Sequence, residues 1–146
     1  MQNNQLKQLI DTSSRIILKV GSSLLINENN NDINYHWLNN FSKEIQSLTD
    51  KKKQIMIVSS GSVALGRKQL NLVKNLSLDE KQAAAAVGQI HLSHAWKEVL
   101  KSFNLESAQI LLAPDDTETR RKHLNARATV FCLLYTSPSP RDHQPS

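Results

Sequence analysis

The chain has 146 residues, 39% of them hydrophobic and 21% charged, with a net charge of +5. That length holds one α/β domain with a real core and excludes two. One cysteine excludes an intrachain disulfide framework and makes cytoplasmic residence the default expectation. The apolar runs are too short to span a bilayer, so no membrane partner is expected.

Residues 1–14 are polar and read as a flexible or weakly helical leader. Arg15–Val20 (RIILKV), rich in β-branched residues and ended by Gly21, reads as a buried strand. The Asn-rich stretch Ser22–Asp32 reads as a loop. Apolar residues at helical spacing from Tyr35 to Leu48 predict an amphipathic helix over 34–49. Gln54–Ser59 (QIMIVS) predicts a second buried strand, closed by Ser60 and Gly61. Ser62–Leu70 reads as a short helix packed on that turn.

Ser77 with Glu80 fits a capping box opening a long helix to about Phe103. Gln109–Ala113 predicts a third strand, stopped by Pro114. A last helix is expected from about Glu118 to Leu134. The tail TSPSPRDHQPS carries three of the four prolines of the chain and reads as disordered. The alternation of strands and helices predicts a parallel sheet covered by helices, with ligands beyond the carboxyl ends of the strands.

Two glycine turns stand at such ends. In Lys19-Val-Gly-Ser-Ser, Gly21 lets a backbone N–H approach a phosphate oxygen. Lys19 supplies a cation for a transferred phosphoryl group, and a charge inside an apolar strand costs free energy unless it meets an anion. The bland reading of Lys19 is a solvated strand end. In the second turn Ser60 offers a hydroxyl, Gly61 permits close approach, and the following helix aims its positive end at the same place. The bland reading here is a strand-to-helix turn with serine as N-cap.

Other patterns carry less. Gly61 and Gly66 have P-loop spacing, but Arg67 and Lys68 stand where that loop needs lysine and a hydroxyl, so the P-loop is rejected. His91 and His94 share a helix face on which no acidic residue is expected close by, so no metal site is read there. Cys132 has no evident base. Asp115 and Asp116 read as caps rather than magnesium ligands. The basic residues are scattered and not interleaved with aromatics, so a nucleic-acid partner is not expected, although a non-catalytic basic module for anions or nucleic acid stands as the alternative class.

The stretches IILKVGSSLL, IMIVSSGSVALGRKQL, KQAAAAVGQIHL, AQILLA and LNARATV, taken together and in this order, resemble the glutamate 5-kinases of the amino acid kinase superfamily. SSGSVALG followed by KQAAAAVGQ is unlike the acetylglutamate, uridylate and carbamate kinases. The kinase domain of bifunctional pyrroline-carboxylate synthase is similarly close. The resemblance implies a three-layer α/β/α sandwich over residues 15–134, truncated after the third or fourth sheet element. It implies ATP with Mg2+, L-glutamate as acceptor, glutamyl 5-phosphate as product and a homo-oligomer. It assigns Lys19 to catalysis and, with Gly21 and Ser22, to ATP, and it assigns Ser60 and Gly61 to glutamate. The tail from 135 onward resembles translated adapter or vector sequence, with homology expected to end near Val130 or soon after. A chain ending there lacks the loop that completes the glutamate site, and is expected to be inactive alone.

Overall fold

The computed structural model describes residues 2–73, 75–111 and 120–136. Two six-residue strands, β1 (Arg15–Val20) and β4 (Gln54–Ser59), pair in parallel with Arg15 opposite Gln54 and Val20 opposite Ser59. Between them run α2 (Ser22–Leu25), a small antiparallel hairpin of β2 (Ile26–Asn27) and β3 (Asp32–Ile33), and α3 (Tyr35–Asp50). After β4 come α4 (Ser62–Gln69), α5 (Leu78–Ser102) and α6 (Arg120–Thr136). The leader forms α1 (Gln2–Thr12), which buries none of its residues.

The elements start where local chemistry requires. Asn34 caps α3, its side-chain oxygen accepting from the Trp37 N–H at 3.2 Å. At α5 the capping box is complete: Ser77 Oγ accepts from the Glu80 N–H, and the Glu80 carboxylate accepts from the Ser77 N–H at 2.8 Å. The hairpin, read from sequence as loop, turns through Asn31 at φ 51°, a backbone conformation that asparagine tolerates better than most residues.

Strand alternation divides the sheet into two unlike faces. Ile16, Leu18 and Val20 of β1 share a face with Ile55, Ile57 and Ser59 of β4. This face carries the core, in which Val20, Leu25, Ile26, Leu38, Leu65, Leu92 and Ala95 are buried, with Trp37, Phe41 and Trp96 packed against them. Ile45, Leu100 and Leu105 extend the core toward Ile55. The opposite face holds Ile17, Lys19, Met56 and Val58, and there Ile17 is 63% exposed and Val58 49%. The Arg15–Gln54 end of that face is touched by α6, where Gln54 Nε2 donates to the Leu134 carbonyl.

The tightest contact between helices is α4 against α5. A Cβ on Gly66 would overlap the Ala84 carbonyl, and one on Gly88 would overlap the Ser62 carbonyl. Gly66, the second glycine of the rejected P-loop spacing, is therefore a helix-packing residue.

Two expectations require correction. Residues 109–111 of the predicted third strand form no strand, because a strand exists only with a ladder partner and none is paired to them among the described residues; residues 112 and 113 lie outside the described residues. The strand RIILKV, expected to be buried, has Ile17 and Lys19 exposed on the open face, which is the solvated alternative for Lys19. The expected start of the last helix at 118, Asp115 and Asp116, and the tail from 137 also lie outside the described residues.

Candidate active site at the strand ends

The last rung of the sheet sets the site. Val20 and Ser59 are opposite each other, and the chain continues one step further with the Ser60 N–H donating to the Val20 carbonyl at 3.3 Å. Both glycine turns consequently leave the same edge at the same height. Gly21 is extended (φ −75°, ψ 156°), and its carbonyl accepts from the Leu24 and Leu25 N–H groups, which starts α2.

Gly61 is the N-cap of α4 at φ 124°, ψ 0°, a conformation that L side chains avoid. An added Cβ would stand 3.0 Å from Ile26 Cγ1 and 3.8 Å from Ser22 Cβ. The second turn thus lies against the first; the backbone angle calls for glycine there, and a Cβ would also press on the Ile26 side chain. No side chain caps α4, so the serine N-cap expected for this turn is absent. The N–H groups of its first turn remain directed at the strand ends, which suits an anion.

The structure brings together four of the five predicted site residues. Gly21 and Ser22 sit on one turn, Ser60 and Gly61 on the other, and both serines are exposed. Lys19 sits one residue before the strand end, opposite Val58. It is solvated, so the cost of a buried charge does not apply to it. Among the described residues it forms no hydrogen bond or ion pair, and its ammonium is available to an incoming anion.

Sequence reasoning missed two groups beside the turns. Trp96 Nε1 on α5 donates to Ser59 Oγ at 3.0 Å, a contact spanning 37 residues that no local pattern announces. Asp32, on the hairpin that carries Ile26, pairs with Lys68 of α4 at 3.0 Å, and His91 Nε2 lies 3.8 Å from its other oxygen. The hydrogen bond from Lys68 holds the Asp32 carboxyl below the usual carboxylate range, helped by the Ile33 N–H and the nearby Lys68 and His91 charges. The acidic partner of His91 is thus 59 residues away in sequence, on a different element. Among the described residues no group of three or more His, Cys, Asp or Glu side chains could hold a metal ion. No helix among them is long and apolar enough to cross a membrane.

A parallel βαβ core with two glycine turns meeting at its carboxyl edge defines an α/β domain of the class that binds ligands beyond its strand ends. A sequence model of the amino acid kinase family matches residues 14–136, and the chain belongs to that family. Its curated relatives include proteins named glutamate 5-kinase. That of Paramagnetospirillum magneticum is 44% identical over 128 residues, covering 88% of this chain and 35% of the relative. That of Rhodopseudomonas palustris strain BisB5 is 49% identical over 121 residues, covering 82% and 32%. Gluconobacter oxydans supplies another at 46% with the same coverage. The chain therefore spans about a third of the length of the curated relatives it matches.

Proposed function

We propose that this chain forms the phosphoryl-transfer half of an L-glutamate 5-kinase site. The observation that carries the reading is the contact between the two turns, with Gly61 at positive φ against Ile26 and beside Ser22. It sets the two turns side by side; with one read as the phosphate turn and the other as the acceptor turn, this adjacency is what a direct transfer needs. The likeness to proteins named glutamate 5-kinase supplies the substrate class.

In this reading Gly21 and Ser22 present backbone N–H groups to the nucleotide phosphates. Ser60 and Gly61, with the uncapped start of α4, hold the glutamate. An oxygen of the side-chain carboxylate attacks the γ-phosphorus in line, the bond from that phosphorus to the β,γ-bridging oxygen breaks, and ADP leaves. No proton has to be removed from the attacking carboxylate. Lys19 offsets the negative charge on the group in transfer, and loss of such a stabilising group typically lowers the rate about 10²–10³-fold. Magnesium would be held largely by the nucleotide phosphates, as is usual for this ion, and would offset their charge there.

Trapping of glutamyl phosphate as its hydroxamate tests the reading in two forms. The 146-residue chain alone is expected to give no ATP-dependent product. A chimera in which residues 14–136 replace the matching segment of the Paramagnetospirillum magneticum relative is expected to give product that needs both ATP and L-glutamate and that falls about 10²–10³-fold on Lys19→Ala. A folded chimera that binds neither compound, or one indifferent to Lys19→Ala, would overturn the assignment.

A further inference from the structure

Ser60 stands one residue beyond the end of β4, where the chain frays unless something holds it. The Val20 carbonyl holds its N–H at 3.3 Å, a long bond. The residue before it is held much better. Trp96 Nε1 donates to Ser59 Oγ at 3.0 Å, and the Ser59 hydroxyl is within 3.5 Å of the Ser60 carbonyl. The indole is itself fixed from the far side. Phe41 meets Trp96 edge-on at 5.8 Å and 74°, and Trp37 stacks on Phe41 at 4.8 Å and 15°. These three rings belong to α3 and α5, the two long helices that cover the core face of the sheet.

We propose that Trp96 is a positioning residue for the acceptor turn: its indole N–H, braced by Phe41 and Trp37, anchors the Ser59 hydroxyl and thereby sets where Ser60 and Gly61 present themselves to an amino-dicarboxylate substrate. The nature of that substrate rests on the function proposed above, while the anchoring does not. A tryptophan in a core normally contributes through its buried area. Here the polar edge of the ring reaches a strand-end hydroxyl one residue from the proposed site, so removing the N–H alone should loosen the turn while leaving most of the ring in place.

The test uses the full chain, labelled with nitrogen-15, as wild type, Trp96→Phe, Ser59→Ala, the double variant and Ser59→Thr. Amide hydrogen exchange is read at Ser60 and, as internal reference, at core amides such as Leu38 and Leu92. Each single loss of the bond should speed exchange at Ser60 about tenfold, the scale of one lost side-chain hydrogen bond, with the core amides moving less. The double variant should add nothing further, and Ser59→Thr, which keeps the acceptor, should match wild type. Unchanged exchange at Ser60 in the single variants, or losses that simply add in the double, would overturn the proposal. If Trp96→Phe does not fold, the comparison of Ser59→Ala with Ser59→Thr decides. Calorimetric titration of L-glutamate into the chimera described above, carrying the same substitutions, forms the second arm: Kd should rise about tenfold in the variants that loosen Ser60. Absence of glutamate binding by the unsubstituted chimera would count against the substrate assignment and leave the exchange result to judge Trp96.

Discussion

Ser42 is the one buried side chain among the described residues whose oxygen has no hydrogen-bond partner. It is fully buried on α3. A buried hydroxyl without a partner costs about 1–3 kcal/mol, and alanine is also the better helix former. Ser42→Ala should therefore stabilise the fold by about 1 kcal/mol, seen in urea denaturation as a higher midpoint with an unchanged slope. A lower midpoint would mean that the hydroxyl makes a bond in solution after all. Asp32 makes a different residue-scale prediction. Its folded carboxyl titrates below the ordinary range because Lys68 donates to it. A depressed folded value means that the stabilisation is complete above about pH 4, the unfolded value, and is lost as pH falls through the folded one. Asp and Lys are each 42% exposed here, so the pair is worth less than about 1 kcal/mol. Thermal melts from pH 5 to pH 2 should show wild type losing slightly more stability than Asp32→Asn.

At the scale of elements, α4 and α5 behave as one unit because two glycines let their backbones touch. Gly88→Ala would improve helix propensity by about 1 kcal/mol. It would also drive a methyl into the Ser62 carbonyl and the Gly66 nitrogen, which are backbone atoms that no rotamer change can move. Overpacking of this kind costs about 1–3 kcal/mol or more, and the clash should win. The variant should unfold at lower urea, and because Ser62 begins the turn after Gly61, it should also weaken ligand binding at the strand ends. Much of this scale was legible in the sequence. The spans of β1, β4, α3 and α5 follow from period, caps and glycine stops, which act over a few residues. The hairpin at 26–33 was not, because a two-residue strand has no pattern of its own and is created by its partner. For the same reason the strand expected at 109–113 does not form over 109–111.

Among the described residues the sheet is dressed on one face and largely bare on the other. With Ile17 and Val58 exposed on that second face, apolar surface lies open to other copies of the chain. Sedimentation at concentrations on the order of 100 μM should show self-association. The double variant Ile17→Thr with Val58→Thr, which keeps β-propensity while adding hydroxyls, should reduce it. A sharp monomer in wild type would refute this.

The sequence by itself determined β1, β4, α3, α5 and the two glycine turns, because strand, helix and turn preferences are local properties of a few neighbouring residues. It also carried the family, through motifs that recur in order along the chain. Only the tertiary structure decided what those turns do to each other. The parallel register put Ser60 beside Val20, which brought Gly61 against Ile26 and Ser22. Strand alternation put Lys19 in solvent and Ser59 under the indole of Trp96. Such contacts join residues tens of positions apart, and their energies depend on packing that no short window of sequence contains.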